Sequence, residues 1–155
     1  MLSELGILSS LIALTASFIL IYSLFSEIKN KSKLLQKKIY HLSYTQIFFT
    51  VLSFFILLFG YISSDFSLIN VYENSHTSKP LFYKISGLWG NHEGSLLLWI
   101  NILVLFSFLF LKLNKHLEKY FKILTLIFQN ILISGFFIFL LTNSNPFSKI
   151  YPAGL

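Results

Sequence analysis

The stretch Ser86–Trp99, SGLWGNHEGSLLLW, decides how the chain is read. Both tryptophans, Trp89 and Trp99, fall within it, together with His92, Glu93 and the three glycines Gly87, Gly90 and Gly94. It runs directly into an apolar segment. On either side lie apolar runs or short polar connections. The stretch is therefore expected at a membrane surface, held there by four hydrophobic segments.

Composition supports that reading. The 155 residues are 55% hydrophobic and only 12% charged. A soluble domain carries about 25% charged residues, so this chain cannot cover itself with a polar surface. The excess apolar surface needs lipid or protein partners. Cysteine is absent, which excludes disulfides and thiolate metal sites in this chain. The formal charge of +6 comes from lysine alone, without arginine. Nucleic-acid binders use Arg for base and phosphate forks, so no nucleic-acid partner is expected. Abundant Phe, Ile, Asn and Lys without Arg point to AT-rich coding, as in an organelle or endosymbiont.

Working outward, four uncharged runs emerge: 5–25, 42–62, 94–111 and 123–142. The first has 21 residues, twelve of them Leu, Ile or Phe. At 1.5 Å per residue it spans about 31 Å, against a bilayer core of about 30 Å. It is not read as a signal peptide, because Glu4 stands where a basic region belongs and the apolar run is too long. The expected fold is all-α, a polytopic membrane protein of four transmembrane helices over residues 1–155. The outer-face loop 63–93 carries the motif.

The lysines set the orientation. The first connection holds Lys29, Lys31, Lys33, Lys37 and Lys38, and the third holds Lys112, Lys115, Lys119 and Lys122. The 63–93 loop has two lysines, and the tail one. Lysine excess marks the cytoplasmic or matrix side, so both termini and the motif are expected on the outer face, N-out and C-out.

Gln129, Asn130 and Ser134 sit mid-span in the fourth run, beside Gly135. Amides in hydrocarbon need hydrogen bonds, so this face is expected inside the bundle, as interhelical glue or as a substrate contact.

Four histidines are candidate ligands. His41 and His116 read as interfacial residues of the lysine-rich connections, and His76 as loop surface. If the third helix begins near Trp89, then Trp89, His92, Leu96 and Trp99 form one stripe, with the indoles about 15 Å apart along the axis. Two readings fit: an aromatic belt with a water-facing His, or a flat apolar wall with an imidazole at its rim, suited to a planar hydrophobic ligand. Gly90 and Gly94, four apart, permit close helix contact. Glu93 can complement the helix dipole. No HExxH, phosphate loop, paired carboxylates or nucleophile–base pair is present, and no metal site is expected.

The run Trp89–Trp99, WGNHEGSLLLW, resembles the WG-x-HEGSLLLW signature of the CcmF family, the F subunits of the cytochrome c maturation system and haem lyases of system I. Two further stretches agree. Val71–Tyr83, VYENSHTSKPLFY, resembles the family's extracytoplasmic loop, and Thr142–Phe147, TNSNPF, resembles the end of its fourth helix, with Asn143 extra or shifted.

The resemblance implies a component of the haem lyase that attaches haem to the CxxCH motif of apocytochrome c on the outer face. The expected interacting motif is Trp89, Gly90, His92, Glu93, Gly94, Ser95 and Trp99. The family's Trp-rich segment and haem-ligating histidines lie further along its pattern. The chain is thus expected to be the N-terminal portion only, from a split organellar or truncated gene. A b-type haem would be handled by the complex, with its ligands outside this chain, and the chain would not be catalytic alone. Expected partners are a second haem-lyase fragment with the Trp-rich motif, a CxxC thioreductase-type subunit, a haem chaperone, apocytochrome c and the lipid bilayer. The expected compartment is the mitochondrial inner membrane, with a bacterial inner membrane as the alternative. A small transporter component and a structural subunit of a respiratory complex are the competing functions.

Overall fold

The computed structural model describes residues 1–29, 33–114 and 117–150. Lys31, Lys115, His116 and the end of the tail lie outside the described residues. Among the described residues there are six helices: α1 (Leu2–Lys29), α2 (Lys33–Ser63), α3 (Ile69–Asn74), α4 (Leu81–Gly87), α5 (His92–Leu113) and α6 (Lys119–Asn143). Four of them, α1, α2, α5 and α6, are long and apolar enough to cross a membrane. The protein is an all-α integral membrane protein. Each span runs past its uncharged stretch at both ends. Lysine is a good helix former, so the polar turns at the surface continue the helix rather than end it.

The spans pack as a ring, α1 on α2, α2 on α5, α5 on α6 and α6 back on α1. The buried seam of α1 explains its place between α2 and α6. Ser3, Gly6, Ser10, Ala13, Ser17, Leu20, Leu24 and Glu27 alternate in steps of three and four, and all are buried. That spacing keeps one stripe facing the partner helices. The small residues let backbones approach closely, which is how helices associate where lipid competes for apolar contact.

A polar bridge crosses three helices near mid-span. The Gln46 amide Nε2 on α2 donates to Ser17 Oγ on α1 at 2.6 Å and to Asn130 Oδ1 on α6 at 3.0 Å. Asn130 Nδ2 donates to the Leu126 carbonyl at 2.9 Å, and Ser134 Oγ to the Asn130 carbonyl at 2.8 Å. Asn130 thus joins α6 to α2, whereas Ser134 bonds within its own helix. Half-buried Gln129 keeps its Oε1 buried without a partner.

Serial antiparallel spans bring four helix ends together at each pole. At one pole the tail crosses back over the bundle. Fully buried Phe147 presses on Gly6, where an added Cβ would lie 2.3 Å from the ring. Ser3 Oγ donates to the Phe147 carbonyl at 2.6 Å, and Lys149 pairs with Glu4. Leu68 and Lys149 form an isolated antiparallel bridge, with Ile69 N–H on the Ser148 carbonyl at 2.9 Å. α2 ends at Ser63, and Ser64, with a φ of 55°, turns the chain into the connection carrying α3 and α4. The opposite pole carries the lysine-rich connections.

Candidate functional site

The motif lies where α4 hands over to α5. Glycine ends α4 because space is short: a Cβ on Gly87 would sit 3.3 Å from the Tyr61 ring. Leu88 then plunges into the core, fully buried with Tyr61 and Val71. The chain must reverse within three residues to start α5, and Asn91 makes that possible.

Asn91 is the N-cap of α5, in extended backbone (φ −119°, ψ 167°). Its Oδ1 accepts from Gly94 N–H at 2.8 Å, satisfying one of the orphan donors of a helix start. That bond fixes the amide orientation, so Nδ2 points the other way. It donates to Tyr61 Oη at 2.8 Å and to the Gly87 carbonyl at 2.8 Å. Tyr61 Oη in turn donates to Asn70 Oδ1 at 2.7 Å. Asn70 Nδ2 closes the ring on Asn91 Oδ1 at 2.9 Å and reaches Glu93 Oε2 at 3.1 Å. Four side chains from α2, α3, the turn and α5 form one hydrogen-bonded knot. Such a network, with its members mutually satisfied, rigidifies what it carries.

Gly94 is part of the same construction. A Cβ there would stand 1.7 Å from the Leu88 carbonyl oxygen. The close approach it allows is between turn and helix start. The helix–helix contact expected from the Gly90–Gly94 spacing does not form. Gly90 has ordinary room, its nearest neighbour being the Ser86 carbonyl at 3.4 Å.

The expected four-residue stripe is also corrected. Because Asn91 caps the helix, α5 starts at His92, and Trp89 sits in the turn before it. His92, Leu96 and Trp99 share a face, with His92 and Trp99 about 10 Å apart along the axis. Trp89 (46% exposed) and Trp99 (59%) each present about half of the side chain to the surroundings. His92 is exposed, its ring 6.3 Å from that of Phe139 on α6. Glu93 is half-buried in the first turn of α5 and held by Asn70. Ser95 turns its Oγ back to the His92 carbonyl at 2.9 Å. Beside the motif, α4 buries none of its residues and exposes Leu81, Phe82 and Tyr83.

The described histidines stand apart from one another. His76 is tied to Ser78 Oγ at 2.8 Å in its own loop, and His41 is exposed on α2 near the lysine-rich pole. Among the described residues no three His, Cys, Asp or Glu side chains converge as a metal site. One exposed imidazole between two indoles suits contact with the face or edge of a planar apolar group.

Sequence reasoning missed Tyr61, Asn70 and Asn91. For Asn91 a local signal existed: an amide residue directly before an acidic first turn is an N-cap pattern. Tyr61 and Asn70 left none, being 30 and 21 residues from Asn91.

No family model matches the chain. It is 50% identical over 101 residues to the cytochrome c-type biogenesis protein CycK of Rhizobium meliloti, covering 65% of this chain and 15% of that protein. It is 40% identical over 101 residues to CcmF of Haemophilus influenzae, covering 65% and 16%. It is 33% identical over 153 residues to NrfE of the same organism, covering 99% and 24%. The solved cytochrome c heme lyase CcmF superposes with a TM-score of 0.87 at 24% identity, over 98% of this chain and 26% of that one. The chain spans a quarter or less of the length of these relatives.

Proposed function

Because the chain belongs to the CcmF family of cytochrome c-type biogenesis proteins and corresponds to its N-terminal portion, we propose that it forms the outer-face seat of a cytochrome c haem lyase. In this reading it assists covalent attachment of haem to the CxxCH motif of apocytochrome c and works with a second haem-lyase polypeptide. That polypeptide carries the Trp-rich segment and the haem ligands. A CxxC thioreductase-type subunit and a haem chaperone complete the assembly. The inner membrane that holds it is mitochondrial on the AT-rich, arginine-free composition; the relatives named above favour a bacterial one.

The observation that carries the reading is the knot of Tyr61, Asn70, Asn91 and Glu93 under an exposed His92, Trp89 and Trp99. Rigid backing with an exposed aromatic and imidazole face is how a protein positions a bulky planar group or an extended peptide without binding it tightly alone. The residues supply orientation and water exclusion. The haem, when bound by the assembly, supplies the reacting vinyl groups.

Trp89→Ala and His92→Ala remove exposed groups and leave the knot intact. Both variants are expected to reach the membrane at wild-type abundance and to lower c-type cytochrome content severalfold, measured by haem-stained gels of the membrane fraction. A tagged wild-type chain is expected to co-purify with a second haem-lyase fragment. Normal cytochrome content in both variants would reduce the motif to scaffolding, and purification without a partner would count against the assembly.

A further inference from the structure

The lysine-rich pole holds a second site unrelated to the motif. A cavity of about 290 Å³ opens there between the end of α1, the start of α2, the end of α5 and the start of α6. Its polar wall is Glu27, Gln36, Lys119 and Lys122, and its apolar wall includes Leu24, Ile39, Leu111 and Leu126. Glu27 is an unusual residue in this position: an acid in the last turns of a span, with its side chain only 2% exposed. Ionisable groups buried in membrane helices are costly and mark a function by default. Its Oε1 is engaged, accepting from Lys119 Nζ and from Gln36 Nε2 at 3.3 Å. Its Oε2 is buried and has no partner. A buried carboxylate oxygen without a donor is a site that asks for an N–H or O–H.

The surroundings say what kind. The cavity mixes one buried acid with two ammonium groups over an apolar floor, Lys119 paired with Glu27 and Lys122 donating to the Leu111 carbonyl at 2.6 Å, so with their remaining N–H groups it suits a head group carrying both a cation and an anion attached to hydrocarbon. A second cavity of about 300 Å³ shares Glu27, Lys119 and Ile123 and is lined by exposed Glu118 and by Ile28 and Tyr120, both of which face outward from the bundle. It offers hydrocarbon chains a way out between α1 and α6. The helices that frame the cavity are long and apolar enough to cross a membrane, which would bring these ends close to lipid head groups. We propose that the cavity binds the head group of an aminophospholipid, its primary ammonium donating to Glu27 Oε2 and its phosphate facing Lys119 and Lys122.

The test uses the whole chain and the number of N–H groups on the ligand. The protein is reconstituted with phosphatidylethanolamine, its N-methyl and N,N-dimethyl forms, or phosphatidylcholine, and lipid retained after detergent washing is counted by native mass spectrometry. Retention is expected to persist while one N–H remains and to fall about tenfold at phosphatidylcholine, the loss of one charge-assisted hydrogen bond. Glu27→Gln is expected to erase the preference. The methyl series reads the wild-type chain, so it stands even if that variant folds poorly. Soluble phosphoethanolamine separates the head group from the lipid and is expected not to displace bound lipid at equal concentration. Equal retention of ethanolamine and choline lipids would overturn the proposal, as would displacement by phosphoethanolamine.

Discussion

Asn91 is the residue on which the site turns. It caps α5, ties the preceding turn through Gly87 and joins Tyr61 to Asn70. Asn91→Ala is expected to destabilise the protein by about 2–3 kcal/mol, a lost cap plus buried partners left unsatisfied. Asn91→Asp keeps the cap and loses the Nδ2 bonds, so its midpoint should fall between wild type and Asn91→Ala in thermal unfolding followed by circular dichroism in detergent. Gly94→Ala and Gly90→Ala form a sharper pair. The first drives a Cβ to 1.7 Å from the Leu88 carbonyl, the second meets nothing closer than 3.4 Å. Gly94→Ala should cost more than about 3 kcal/mol or fail to accumulate, whereas Gly90→Ala should stay within about 0.5 kcal/mol. Equal effects, read as membrane-fraction abundance and unfolding midpoint, would contradict this geometry. Sequence reading singled out the stretch that holds Asn91 and gave several of its residues the wrong relation. Trp89 was placed on the helix because the cap was overlooked. The two glycines looked like a helix-packing pair because a turn folding back onto a helix start leaves the same spacing.

At the scale of elements, the spans were legible because hydrocarbon tolerates no charge over 18 or more residues. Their ends were not, since Lys29 and Lys33 continue helices that hydropathy alone would stop. α3 and α4 were also hidden, being short and held by contacts rather than by periodicity. Gln46 lies unremarked in an uncharged run, yet it is the donor that joins α1, α2 and α6. Gln46→Leu and Asn130→Leu each remove half of one bridge. In a double-mutant cycle of unfolding in mixed micelles, the pair should show a coupling of about 1 kcal/mol, within the range of buried interhelical hydrogen bonds in membranes. Zero coupling would mean that the two amides meet without contributing.

The whole molecule is polar along its axis. Among the described lysines, Lys29, Lys33, Lys37, Lys38, Lys112, Lys119 and Lys122 lie toward one pole, and the start of α5, with Trp89 before it, and the crossing tail occupy the other. The lysine asymmetry was readable from sequence, and the antiparallel ring of spans gives it a physical axis. The proposed function requires the motif pole to face outward, and everything proposed for haem attachment depends on that. The absence of cysteine makes the placement directly measurable, because any introduced thiol is the sole label site. Ser78→Cys and Ser86→Cys at the motif pole, and Lys37→Cys at the other, are to be treated with a membrane-impermeant maleimide in sealed right-side-out vesicles. The thiols at 78 and 86 are expected to react at once, and the thiol at 37 only after permeabilisation. Immediate labelling at 37 with protection at 78 and 86 would contradict that orientation.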